Sequence, residues 1–233
     1  MRFRAVFFDA GETLVHPSPS FPELFSRVLA DAGHDRDPVA VTDASAAVFA
    51  GFARAADDRE LWTISPERSA RFWKGVYGRM LEALSLPSGD GLRDVLYATF
   101  TDPANYALFD DVRPTLDALG DGPTLGIVSN YEAWLEDLLG LLGVRDRFPV
   151  RAISGIEGAE KPDPALFRVA LDRAGVAPRD AAYVGDNPPF DVAPARDLGM
   201  TPVLIDRRRR FPGEDCIRID DLRELPAALE GAA

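Results

Sequence analysis

From about residue 121 onward, short apolar runs alternate with helix-patterned segments, and each run ends at or near an oxygen-bearing side chain. These are TLGIV before Ser129, RAI before Ser154, AAYVG before Asp186, PVLI before Asp206 and CIRI before Asp220. With amphipathic segments after Tyr131, Pro164 and Val192, the alternation predicts an α/β fold, a Rossmann-like, doubly wound parallel sheet with helices on both faces. Phe3 to Phe8, followed by Asp9, Ala10, Gly11, Glu12, Thr13 and Leu14, reads as a further buried strand that delivers one carboxylate to its C-terminal tip. In open α/β sheets, ligands bind at those tips.

Between Leu14 and about Phe109 helical periodicity takes over, with no convincing strand. Helices are predicted over Phe21 to Ala32, Val39 to Ala56 and Pro66 to Leu84, the last opened by Ser65 as N-cap and Pro66 in the first turn. An all-helical segment set into an α/β pattern predicts a separate domain folded over the strand tips. The expected division is a core of residues 1–15 and 109–233 and a helical cap of residues 16–108. In the core, Asp163 and Pro164 start a helix that Gly175 stops.

Composition removes several function classes. A net charge of −12 on 233 residues argues against a nucleic-acid surface, which needs clustered Lys and Arg. The same charge repels anions at long range, so a phosphate site must be local, built from a Lys, a metal ion and backbone N–H groups. The single cysteine, Cys216, excludes an internal disulfide framework and a cysteine-based zinc site, and its place in CIRI predicts a buried strand thiol. Met1 and Arg2 lead directly into the first strand and no apolar run reaches spanning length. A cytoplasmic protein without a signal peptide or membrane partner is expected. Arg207 to Arg210 reads as a solvated loop, with a substrate or partner contact as the alternative.

The strand tips carry the chemistry. Ser129 and Asn130 present a hydroxyl and an amide suited to phosphate oxygens. Asp186 and Asp191 bracket GDNPPFD and offer hard oxygen ligands of the kind that suit Mg²⁺. Of 26 Lys plus Arg residues only Lys74 and Lys161 are lysines, so a Lys kept at 161 implies a compact ammonium placed between a phosphate and a carboxylate. Lys74, beside Trp73, reads as an ordinary helix-surface residue.

Taken in order, FFDAGETL, IVSN, EKPDPALF and VGDNPPFD resemble the four motifs of the haloacid dehalogenase (HAD) superfamily, and the helical segment resembles the cap of its subfamily I. The resemblance covers nearly the whole chain. It implies that Asp9 is the nucleophile, that Ser129 and Lys161 hold the transferring group, and that Asp186 binds Mg²⁺ together with Asp9 and the Gly11 carbonyl. Asp191 then supports the metal site or Lys161. The chain departs from the motif at Gly11, where the family usually has a second Asp acting as general acid and base, a function worth ~10²- to 10⁴-fold. Glu12 and His16 are the candidate replacements; otherwise they are a turn residue and a hinge residue.

The expected activity is a Mg²⁺-dependent phosphatase of a small phosphorylated metabolite with weakened acid/base catalysis. Alternatives are a phosphate-binding or regulatory protein with little turnover, and a 2-haloacid dehalogenase, whose halide leaves without a proton. A phosphonate-cleaving reading needs a cap lysine, and nothing around Lys74 supports it.

Overall fold

The computed structural model describes residues 3–49 and 62–232. The described residues begin with β1 (Ala5–Phe8) and β2 (Val15–Pro17) and continue with the helices α1 (Phe21–Asp31), α2 (Pro38–Phe49), α3 (Pro66–Ala83) and α4 (Asp90–Phe100). After β3 (Tyr106–Leu108) and α5 (Val112–Leu119) come β4 (Thr124–Ser129), α6 (Leu135–Leu141), β5 (Val150–Ile153), the one-turn α7 (Ser154–Glu157) and α8 (Pro164–Ala174). The chain ends with β6 (Ala181–Gly185), α9 (Ala193–Asp197), β7 (Thr201–Ile205), β8 (Ile217–Ile219) and α10 (Leu225–Gly231).

Six strands form one sheet in the order β5-β4-β1-β6-β7-β8, all neighbours parallel. The first strand is therefore central, between β4 and β6, where the chain switches from building one half of the sheet to building the other. Side-chain alternation divides the interior. Val6 and Phe8 of β1 with Ala182 and Val184 of β6 join one core, while Ala5, Phe7, Ala181 and Tyr183 join the other. At Gly126 the two faces leave no room for a methyl group: a Cβ there would lie 2.7 Å from Phe7 Cδ1 and 2.9 Å from the Val150 carbonyl.

The helices between β2 and β3 bury a core of their own, centred on Leu24, Phe25, Leu29, Val76, Met80, Leu81 and Leu96. Ser20 and Ser65 cap α1 and α3, each accepting the backbone N–H three residues on, and Gly175 ends α8 in the left-handed conformation. Residues 50–56 of the second predicted helix lie outside the described residues.

Three expectations are corrected. Residues 14–109 do contain strands: β2 and β3 pair antiparallel, Val15 with Leu108, His16 with Ala107 and Pro17 with Tyr106. This ribbon joins the chain entering the helical block to the chain leaving it, and three residues per strand are too few to show a period of two. A further helix, α4, follows Gly89, which offers no side-chain cap to announce it. Cys216 is only partly buried and precedes β8, so it is not a strand-core thiol.

Candidate active site

Asp9 leaves β1 with its backbone N–H held by the Val184 carbonyl of β6 at 2.8 Å, which ties the first motif to its neighbour strand. Its carboxylate faces Lys161. The Lys161 ammonium donates to Asp9 Oδ1 at 2.7 Å, Asp191 Oδ1 at 2.6 Å and the Tyr183 hydroxyl at 3.0 Å, so all three of its donors are used in a buried pocket. Tyr183 lies 2.8 Å from the Val128 carbonyl and 3.1 Å from Asp191 Oδ1, bridging β4, β6 and the loop that carries Asp191. Sequence reading missed Tyr183, although a phenol inside an apolar strand must find a polar partner for its hydroxyl.

Asp191 is aimed by a wide turn over Pro188–Val192, and its Oδ2 accepts the Asn187 N–H at 2.9 Å. Gly185 makes room for it: a Cβ at residue 185 would lie 2.3 Å from Asp191 Cγ and Oδ2. Both Asp191 oxygens are thus engaged, Oδ1 by Lys161 and Oδ2 by the Asn187 N–H.

Lys161 is held from its backbone as well. Its N–H donates to Asn130 Oδ1 at 2.6 Å and its carbonyl accepts from Asn130 Nδ2 at 2.8 Å. This two-point clamp leaves the Asn130 amide one N–H for a ligand. Ser129, almost fully buried at the tip of β4, lies beside Asp9 and helps to lower its carboxyl pKa.

Asp186, at the tip of β6, completes a cluster in which oxygens of Asp9, Asp186 and Asp191 lie within 4.8 Å of one another. Burial, reinforced by Asp191, Asp9 and Glu12 and opposed by Arg210, pushes the Asp186 carboxyl well above the usual carboxylate range. Burial likewise raises Asp9, with Lys161 opposing and Asp191 adding to the rise. Burial alone would lower Lys161, but Asp191 and Asp9 outweigh it and keep the ammonium charged. Three carboxylates against one buried ammonium leave an excess of negative charge lined by hard oxygen donors. Such a donor set fits a divalent cation with a preference for oxygen.

The remaining expected residues lie around this centre. Gly11 is open: a Cβ there would meet only Tyr131 Cε2, at 3.8 Å, and no positive φ strains the position. Glu12 adopts a left-handed φ of 56° and pairs with Arg208 at 3.5 Å. His16 sits in the β2–β3 ribbon with Nδ1 2.8 Å from the Pro17 carbonyl and its ring 4.5 Å from that of Phe109. The contacts that fix Asp9, Lys161 and Asp191 include neither Glu12 nor His16. Lys74 pairs with Asp94 at 2.7 Å inside the helical block.

Two core carboxylates reach that block. Glu160, beside Lys161, accepts from the Trp62 and Thr63 N–H groups and from the Thr63 hydroxyl at 2.7 Å. Glu132, two residues past Asn130, accepts from Ser69 Oγ at 2.6 Å and from the Tyr97 hydroxyl at 3.1 Å.

A family model described as haloacid dehalogenase-like hydrolase matches residues 3–199. The chain belongs to this family. It is thereby a hydrolase, and the six-stranded sheet is the HAD-like core. A phosphoserine phosphatase from Thermus thermophilus is 37% identical over 163 residues, which cover 66% of this chain and 65% of that protein. Among solved structures, a HAD phosphatase from Thermococcus onnurineus superposes with a TM-score of 0.64 at 26% identity, covering 98% of this chain and 99% of that one. A 2-haloacid dehalogenase from Pseudomonas syringae pv. tomato DC3000 also gives 0.64, at 25% identity and covering 99% of this chain and 100% of that one. Among the described residues, no helix is long and apolar enough to cross a membrane.

Proposed function

We propose that this chain is a cytoplasmic Mg²⁺-dependent phosphatase of small phosphorylated metabolites, working through an aspartyl phosphate on Asp9. One observation carries the reading: a single buried ammonium serves three clustered carboxylates, pairing directly with Asp9 and Asp191, while the third, Asp186, pairs with Arg210 at 3.5 Å. A bare nucleophilic carboxylate needs no such surplus of acid, whereas a site for a cation and a phosphoryl group does.

Asp9, Asp186 and the Gly11 carbonyl would hold the metal, which supplies charge neutralisation to the transferring phosphoryl group. Asp9 Oδ1 is held by Lys161, which leaves Oδ2 to attack phosphorus as the ester P–O bond breaks. Lys161 stays protonated throughout, and Asp191 and Tyr183 fix its position. Ser129 and the remaining Asn130 N–H receive phosphoryl oxygens. Water then attacks the phosphorus of the acyl phosphate, the Asp9–phosphorus link breaks, and inorganic phosphate leaves. Without an acid at residue 11 the leaving group departs with little help, so good leaving groups are favoured. The helical block, joined to the core through the β2–β3 ribbon and touching it through Glu132 and Glu160, serves as a cap that shields the site from water.

The second reading, a 2-haloacid dehalogenase, is favoured by Gly11, since halide needs no proton, and by the similarity to the Pseudomonas syringae 2-haloacid dehalogenase. Hydrolysis of an aryl phosphate with and without EDTA, in wild type and Asp9→Asn, separates the readings. Loss of activity in EDTA and in Asp9→Asn is expected. Halide release from 2-chloropropionate that ignores EDTA would establish the dehalogenase instead. A melting temperature raised by Mg²⁺ with beryllium fluoride, without turnover, would mark a binding protein.

A further inference from the structure

The run Arg207 to Arg210 is not a floppy charged loop. Asp206, at the end of β7, accepts the N–H groups of Arg210 and Phe211 at 2.8 Å each, and Arg209 takes a left-handed φ of 53°. The turn gives the four guanidinium groups four different partners. Arg207 binds Asp111 through both nitrogens, at 2.5 and 3.0 Å, donates to the Thr13 carbonyl and lies over the Phe109 ring. Arg209 holds Asp220 at 2.7 Å. These two anchor the turn.

Arg208 and Arg210 are different. Each reaches its acid, Glu12 and Asp186 respectively, only at 3.5 Å, and their side chains are 70% and 53% exposed. Loose, solvated pairs of this kind contribute little to stability. Their place is specific, however. Glu12 follows the open position Gly11, and Asp186 belongs to the carboxylate cluster around Asp9. Two weakly held forks, one of them also over the Phe211 ring, thus lie beside Asp9's neighbours on a chain whose net charge of −12 otherwise repels anions. Arginine forks match carboxylate and phosphate oxygens two at a time.

We propose that Arg208 and Arg210 form a second anion subsite, which selects phosphomonoesters whose leaving group carries a carboxylate or a second phosphate. The proposal rests on the phosphatase reading. Asp186 would hold a cation in place of the charge that Arg210 now meets at 3.5 Å, which would leave the Arg210 fork for the substrate's distal anion. Arg208 approaches the same group from the Glu12 side.

The test compares phosphoglycolate and glycerol bisphosphate, one carrying a carboxylate and the other a second phosphate, with the uncharged-tail control propyl phosphate. It uses wild type, Arg208→Gln, Arg210→Gln and the double variant. The readouts are kcat/KM and, on an Asp9→Asn background that binds without turnover, calorimetric affinity. Wild type should prefer at least one of the two charged-tail esters over propyl phosphate, and each Arg→Gln change should reduce that preference by about tenfold. The tail that loses more identifies the anion the subsite takes. Equal losses on all three esters, or a wild type with no preference, would overturn the subsite while leaving the phosphatase intact. Absence of turnover and of binding for every ester would remove both readings. Each single variant stands alone should the double variant not fold.

Discussion

Replacing Lys161 by Met, which keeps the side-chain length and removes the charge, strikes the interaction on which the whole site is built. The Lys161 side chain is 3% exposed and faces carboxylates that are 11% and 1% exposed. Without the ammonium, Asp9 and Asp191 confront each other with oxygens no farther apart than 4.8 Å. At an effective dielectric constant of ~20 that repulsion is about 3.5 kcal/mol, within the ~3–5 kcal/mol typical of breaking a buried ion pair from one side. The pair can escape by keeping a proton, which gives the loss a characteristic pH dependence. In the variant the folded-state carboxyl pKa lies above the unfolded value of about 4. Such a group favours the fold below its unfolded pKa and loses that contribution as pH rises through the folded value.

The gap between wild type and Lys161→Met should therefore be smallest near pH 4 and widen by up to about 1.4 kcal/mol per pH unit, then level off at about 3–5 kcal/mol. Urea melts in EDTA at a series of pH values measure it. Added Mg²⁺ should narrow the plateau by neutralising the same carboxylates. A gap below about 1 kcal/mol that stays flat with pH would show that the Lys161 network is not an ionic unit.

Gly185→Ala should displace Asp191, because the new Cβ would fall 2.3 Å from its carboxylate, and should cost about 1–3 kcal/mol together with most of the activity. Gly126→Ala, equally crowded but against Phe7 and Val150, should lower stability while folded molecules keep their turnover; melts paired with kinetics distinguish the two. Glu132→Ala removes the acceptor for Ser69 and Tyr97, so amide exchange in α3 and α4 should quicken and KM should rise while the core's protection is unchanged. Gly11→Asp with Glu12→Gly should raise activity on alkyl phosphates more than on aryl phosphates, read from the leaving-group dependence of kcat/KM.

The parallel sheet was legible because strands buried on both faces read as continuous apolar runs, and each delivers its next polar residue to one edge. Asp9, Ser129 and Asp186 were found that way, and Lys161 by its rarity among the basic residues. What escaped depends on long-range partners. Asn130 looked like a phosphate ligand, but nothing local reveals that its amide closes on the Lys161 backbone 31 residues later. The four arginines looked equivalent in sequence, and only their partners separate two anchors from two loose forks. Glu132 and Glu160 carried no signal, because a carboxylate bound to another segment's N–H or hydroxyl groups looks like any surface acid.

The glycine at residue 11 is best understood through its neighbour. The Tyr131 ring edge lies 3.8 Å from where a Cβ would be, and Tyr131 shares the Trp134 ring with Tyr106, the residue opposite Pro17 in the ribbon, whose hydroxyl donates to the Phe100 carbonyl. The space beyond Gly11 is thus bounded by a phenol pair that packs against Trp134, with ring centroids at 4.8 and 5.4 Å, and that links the second motif to the exit from the helical block. Burial raises both phenols far above neutrality, so they remain uncharged and cannot supply the base that an Asp at residue 11 would. The site has the Asp9 carboxylate proposed as nucleophile and the Lys161 charge network, and has glycine where the family motif usually places its proton carrier. On the proposed reading, formation of the acyl phosphate from an ester with a good leaving group depends on groups that are present, and its hydrolysis on the proton carrier that is missing. The second step is therefore where this chain should be slowest, and stopping turnover with acid should trap phosphate on Asp9. If no labelled aspartate accumulates while alkyl phosphates turn over briskly, a proton carrier other than residue 11 is at work.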